Sequence, residues 1–291
     1  MIRINKMTRG RFGNKILQYN SLMQLASLLN EEPYCTYWDE GHAIFDLPVF
    51  KSAEGLCREE KILTWRECAS VSFRDNVKKV HDKFDIILDD PAYMLHNVFF
   101  QLTHIDPRKF LPINKNYKRD MPVDKINVGI HFRGTDILGA DGNHGREIHR
   151  PRYYKDSIDI IESEYDNIKY YVCSDDLNFT SYKETIKYLE QKNCLYEKGN
   201  IGNHLADFST LAGCDILVAS SSTFIICAGF LGRTNKKIIH SQEWIEKNLN
   251  HLPWHRKQDP DDVRRAQLSF DDFWVSLYNG GNEFYKVWRW V

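Results

Sequence analysis

Ile126-Asn-Val-Gly-Ile-His-Phe-Arg-Gly-Thr-Asp136 is the stretch from which the fold of this chain can be read. Ile126, Val128 and Ile130 form a short apolar run, bounded upstream by the polar segment Asn114 to Asp124. Such a run reads as a buried strand of a parallel sheet. At its carboxyl end stand an imidazole, a guanidinium and a carboxylate in the pattern H-x-R-x-x-D, with Gly134 permitting a tight turn between them. In an open α/β sheet, ligands bind beyond the carboxyl ends of the strands. A planar arginine fork there suits a phosphate, to which it donates bidentate, charge-assisted hydrogen bonds. The structural alternative is an ion pair between Arg133 and Asp136 at a surface turn.

Downstream, strands and helices alternate. Pro151 fits the first turn of a helix through Ser163, and Ile168 to Cys173 is a strand ending in Ser174-Asp-Asp176. A helix over Ser181 to Glu190 and a short strand at Cys194 to Tyr196 follow. His204 to Gly213 is a helix with Leu205, Phe208, Leu211 and Ala212 on one face. Asp215 to Ala219 is a strand leading through Ser220-Ser-Ser-Thr223 into an apolar helix to Leu231, and Lys237 to His240 closes the series. This alternation predicts a parallel, doubly wound sheet. Polar clusters thus fall at three strand ends: His131 to Asp136, Ser174 to Asp176, and Ser220 to Thr223. Serine and threonine at a helix start can cap it or bind phosphate there; three clusters at one sheet edge suggest a nucleotide-type ligand. Asp207 reads either as a surface charge or as a group pairing with a base or ribose.

Upstream, Ile2 to Ile4 is a first strand, followed by Thr8-Arg-Gly-Arg-Phe-Gly-Asn14 and a helix with Leu22, Leu25, Ala26 and Leu29 at i, i+3, i+4 and i+7. Strand, glycine-rich turn and helix resemble a phosphate cradle, with Arg11 and Asn14 as ligand-facing candidates. The spacing fits neither G-x-G-x-x-G nor Walker A. Tyr34 to Trp38 and Ile86 to Leu88 read as further strands. Phe45, Leu47 and Val49 alternate, and Tyr93 to Leu102 has helical apolar spacing. Asn114 to Asp120 reads as a linker, which divides the chain into 1–120 and 121–245.

The formal net charge of −1 over 291 residues excludes an electrostatic nucleic-acid binder and a polybasic membrane anchor. Seven cysteines without a C-x-x-C pair point to a reducing compartment. With no signal peptide or membrane span visible, a cytoplasmic location is expected. No metal site is expected: Asp175-Asp176 is not D-x-D, and Pro253 spoils a helical pair of His251 and His255.

Taken in order, three stretches resemble the fucosyltransferases: Gly10-Arg-Phe-Gly-Asn14 with Gln18-Tyr19, His131-Phe-Arg-Gly-Thr-Asp136, and Asp207 through Phe224. The likeness is greatest to the α-1,2 enzymes and more distant to the α-1,6 and protein O-fucosyltransferases. It implies a GT-B-like α/β fold, with two Rossmann-like parallel-sheet domains facing a cleft and residues 246–291 packing back on the amino-terminal, acceptor-side domain. It also implies transfer of fucose from GDP-fucose to a glycan hydroxyl with inversion, without metal or cofactor. In that scheme Arg133, with Ser221, Ser222 and Thr223, stabilises the departing diphosphate. His131 and Asp207 hold the guanine nucleotide, with Asp175 on the nucleoside side. Asp141 is the general base by analogy with an acidic residue past the motif in the α-1,6 relatives, its alternative being a plain turn residue. Asp136 is a second candidate base or a tie for the loop. Many relatives carry a second arginine where this chain has Gly134. That departure leaves open another nucleotide sugar, such as a UDP-pentose, or a binding module without catalysis.

Overall fold

The computed structural model describes residues 2–4, 11–35, 37–48, 60–62, 73–88, 106–134, 150–200, 202–220, 222–233, 236–242 and 287–291. Among the described residues, the chain divides between Asn114 and Lys115 into two compact units.

The first unit carries a parallel sheet of β1 (Ile2–Ile4), β2 (Pro33–Cys35), β3 (Glu60–Ile62) and β4 (Asp85–Ile87), in the order β2-β1-β4-β3. Its helices are α1 (Phe12–Leu29), α2 (Asp39–Ile44) and α3 (Phe73–His81). The expected strand Tyr34 to Trp38 is shorter: pairing stops at Cys35, and Asp39 starts α2. Trp38 is buried because its ring packs on Phe12, 5.6 Å away. Its apolarity therefore reports helix packing and not strand pairing. The expected alternation at 45–49 likewise yields one antiparallel bridge, Phe45 to Ile113. Tyr93 to Leu102 lies outside the described residues.

The second unit carries six parallel strands: β5 (Ile126–Phe132), β6 (Ile168–Ser174), β7 (Leu195–Lys198), β8 (Ile216–Val218), β9 (Lys237–His240) and β10 (Val287–Trp290). Their order is β10-β9-β8-β5-β6-β7. The helices are α4 (Pro151–Glu164), α5 (Thr180–Gln191), α6 (His204–Gly213) and α7 (Thr223–Leu231). Strand alternation sorts the core. Val128, Ile130 and Phe132 of β5 pack with Tyr154, Ile158 and Ile161 of α4 and with Tyr182, Ile186 and Leu189 of α5. Each such fully buried side chain contributes roughly 1.5–3 kcal/mol. The odd positions face the other layer. A Cβ on Gly129 would lie 2.7 Å from Leu211 of α6, so the glycine is what lets that helix approach the strand. α7, almost wholly apolar, is buried along Ile225 to Leu231, as a helix covered on most sides must be.

The chain runs outward from β5 through β6 to β7, then returns to place β8 on the other side of β5. The carboxyl ends of β5 and β8 therefore form a topological switch point, where α/β sheets hold their ligands. The segment read as a linker is anchored: Arg119 donates to Glu197 Oε1 (2.5 Å) and to Thr210 Oγ1 (3.1 Å). Val287–Trp290 pairs with β9 in this second sheet. Those residues are the end of the expected 246–291 tail; residues 246–286 lie outside the described residues. Among the described residues no helix is long and apolar enough to cross a membrane.

Candidate active site at the switch point

His131, one residue before the end of β5, has its side chain on the face shared with Gly129, and only 7% of it is exposed. Its Nδ1 lies 2.6 Å from Ser220 Oγ, just past β8. The ring stacks on Phe224 of α7 (centroids 5.2 Å apart, 24° between planes), and Phe224 in turn meets Phe208 of α6 edge-on at 5.4 Å. Burial pushes the imidazole pKa down to about 4; Asp175 pulls it up and Arg133 pushes it further down. The ring is therefore neutral near pH 7.

Two residues on, Arg133 Nη1 donates to Ser222 Oγ at 3.2 Å. Ser222 is the N-cap of α7 and also accepts from Phe224 N (3.3 Å), so one hydroxyl orients the guanidinium and the helix start together. Thr223 begins α7 beside it. A guanidinium at a helix amino terminus adds a full positive charge to the partial charge of the helix dipole. This arrangement can hold an anion such as a diphosphate.

Asp175 follows β6 and accepts from Gly134 N at 2.6 Å through Oδ1. It ties the loop after β5 to the loop after β6. Asp176 Oδ1 accepts from Asn178 N (2.8 Å), so both aspartates serve turns. A Cβ on Gly134 would meet Asp176 Cβ at 3.1 Å and Phe179 at 3.4 Å. Glycine at this position thus accommodates the close approach of the β6 loop, which a second arginine would crowd.

Asp207 departs from the surface-charge alternative. It is 8% exposed, and its Oδ1 accepts from Asn200 N at 2.9 Å. A Cβ on Gly199 would lie 2.6 Å from the same oxygen. Burial raises its pKa to about 6, against the Asn200 N–H and the Cys173 thiol that bond to it. The carboxylate faces inward, onto the backbone after β7, because the glycine leaves room for it.

His131, Arg133, Asp175, Ser222 and Thr223 therefore gather at the ends of β5, β6 and β8, with Asp207 on the neighbouring helix. Arg11 and Asn14 belong to the first unit: Arg11 is the exposed N-cap residue of α1 and its carbonyl accepts from Asn14 N at 2.9 Å. Asp136, Asp141 and Ser221 lie outside the described residues. Sequence reasoning missed Ser220 as the partner of His131, and Phe224 as its platform. The serine run is a signal, but nothing in the sequence singles out its first member.

A family model described as glycosyl transferase family 11 matches residues 3–259. The chain belongs to glycosyl transferase family 11. This family 11 glycosyltransferase is also similar to solved fucosyltransferase structures. POFUT1 in complex with GDP-fucose aligns with a TM-score of 0.53 at 10% identity, covering 81% of this chain and 96% of that one. A FUT1 mutant of Arabidopsis thaliana in complex with GDP aligns at 0.49 and 14%, covering 79% and 68%. The fucosyltransferase NodZ from Bradyrhizobium aligns at 0.44 and 13%, covering 79% and 93%. No curated protein matches the chain. The POFUT1 likeness speaks to the fold, a GT-B-like α/β architecture with parallel sheets, and agrees with the resemblance carried by the ordered motifs.

Proposed function

We propose that this family 11 glycosyltransferase is an inverting, metal-independent fucosyltransferase that moves fucose from GDP-fucose to a hydroxyl of a glycan acceptor. The observation that carries the reading is Arg133, held by Ser222 at the amino terminus of α7 and at the switch point of the second sheet. The difficult part of the reaction is the departure of the nucleoside diphosphate. As the glycosidic bond breaks, negative charge grows on the β-phosphate, and preorganised donors aimed at that charge lower the barrier. Arg133, Ser222, Thr223 and the positive end of the α7 dipole supply such stabilisation without a metal ion. Ser221 joins them by its place in the sequence. His131 and Asp207 serve the nucleoside, with Asp175 bracing the loop that carries Arg133. Arg11 and Asn14, at the start of α1, are further donor-binding candidates by their place in the sequence.

Inversion needs a base for the acceptor hydroxyl, and Asp141 fills that role, with Asp136 as the alternative. The fucose donor is supported by the ordered motifs and by the likeness to POFUT1, whose own structures hold GDP or GDP-fucose. Gly134 favours a second reading, in which a UDP-pentose is the donor or the chain binds without turnover, since one guanidinium fewer faces the diphosphate. A cytoplasmic location is supported by the seven scattered cysteines, which form no C-x-x-C pair. The deciding experiment offers GDP-fucose and UDP-pentoses with a panel of glycans and measures release of nucleoside diphosphate. Release of GDP dependent on acceptor upholds the first reading; release of UDP, or binding with no release, replaces it.

A further inference from the structure

Ser220 and His131 form a buried pair whose hydrogen positions can be deduced. Ser220 is 2% exposed, and its Oγ lies 2.6 Å from His131 Nδ1. A neutral imidazole has one N–H and one bare nitrogen. If Nδ1 bore the proton, it would donate to Ser220 Oγ, and the serine O–H would need a further acceptor in a buried place. Among the described residues that hydroxyl makes no second bond, and a buried donor left unpaired costs about 1–3 kcal/mol. The arrangement that satisfies both groups has the serine O–H donating to a bare Nδ1. The proton of the ring then sits on Nε2. Stacking on Phe224, itself braced by Phe208, fixes the plane in which that N–H is offered.

We infer that Ser220 is a positioning residue that locks His131 as the Nε2–H tautomer, so that the ring presents an uncharged hydrogen-bond donor to an oxygen of the bound nucleoside diphosphate. The ligand half of this statement rests on the donor reading above; the tautomer half does not. It assigns His131 a selective task. An uncharged N–H prefers a carbonyl, hydroxyl or phosphate oxygen and rejects a ligand group that is itself a donor.

The test combines ¹⁵N imidazole spectra with calorimetric titration of GDP, on the wild type and on Ser220→Ala and Ser220→Thr. His131→Gln identifies the resonances by their loss. The expected wild-type spectrum has a protonated Nε2 and a bare Nδ1. In Ser220→Ala the tautomers mix and GDP binds about fivefold more weakly, the worth of one net hydrogen bond; Ser220→Thr, which keeps the hydroxyl, recovers both. A protonated Nδ1 in the wild type, or Ser220→Ala with unchanged tautomer and affinity, overturns the inference. If GDP binds none of these proteins, the donor reading fails, and the spectra alone decide the role of Ser220.

Discussion

Arg133 and Ser222, 89 residues apart in sequence, are joined by a 3.2 Å hydrogen bond from Nη1 to Oγ. The bond exists because β8 returns to lie beside β5. If this guanidinium answers charge on a departing diphosphate, its removal should damage the transition state more than the fold. Arg133→Ala is expected to melt near the wild type and to turn over about 10²–10³-fold more slowly. Arg133→Lys should recover little, because an ammonium keeps the charge and loses the planar fork. Near-normal kcat in a folded Arg133→Ala protein would return the residue to a structural role.

The base of the donor can be read without an acceptor. A ligand that binds only the folded state raises its stability by RT ln(1 + [L]/Kd). GDP is therefore expected to raise the Tm more than UDP, CDP or ADP at equal concentration. A larger shift with UDP would move the donor to the pentose alternative.

Metal dependence is answered by chelation. Asp175 and Asp176 already accept from Gly134 N and Asn178 N, which commits one oxygen of each to a turn. Transfer is expected to survive EDTA. Activity lost on chelation and restored by Mn²⁺ would make these two carboxylates ligands after all.

Gly134 marks where this chain departs from relatives with paired arginines. A Cβ there sits 3.1 Å from Asp176 Cβ, so Gly134→Ala should cost about 1–2 kcal/mol in stability, as overpacking does. Gly134→Arg should cost at least as much and gain no affinity for GDP. Urea unfolding with GDP titration checks both, and a stable Gly134→Arg protein with tighter GDP binding would contradict the steric account.

Asp207 gives a pH signature. Its folded pKa is raised from 3.8 to about 6, so the native state holds the proton more tightly than the unfolded chain. The penalty for ionising it is absent at low pH, appears as pH rises between those values, and is complete above about 6. A shift of about two units corresponds to roughly 3 kcal/mol at most. Asp207→Asn keeps an oxygen for Asn200 N and removes the charge. The variant should thus gain about 2 kcal/mol on the wild type between pH 4 and pH 7. Parallel stability curves over that range would show that the carboxylate is not penalised.

The second unit was the more legible in sequence, for a physical reason. Parallel strands covered on both faces must be apolar throughout, so β5, β6 and β8 announce themselves at Ile126, Ile168 and Ile216. The described strands of the first unit have three residues each, too few for periodicity to separate pairing from packing, which is why Trp38 reads as a strand residue in sequence. At the site, Arg133 and Ser222 could be foreseen because their chemistry is explicit. The bond from Ser220 to His131 could not, since it depends on strand order. The inward turn of Asp207 was equally hidden, resting on the absence of a side chain at Gly199.

The parallel pairing of β10 with β9 sets Val287 beside Ile238, and Gln242 N and Val291 N continue the ladder. These contacts require closure of a long loop before they can form. Until they do, β9 presents a bare row of amides and carbonyls, a template for any other extended chain. Refolding yield should therefore fall as protein concentration rises, and a variant lacking residues 287–291 should aggregate from a folded core. A synthetic peptide of those five residues, added in trans, would compete for the same edge and report how long it stays open.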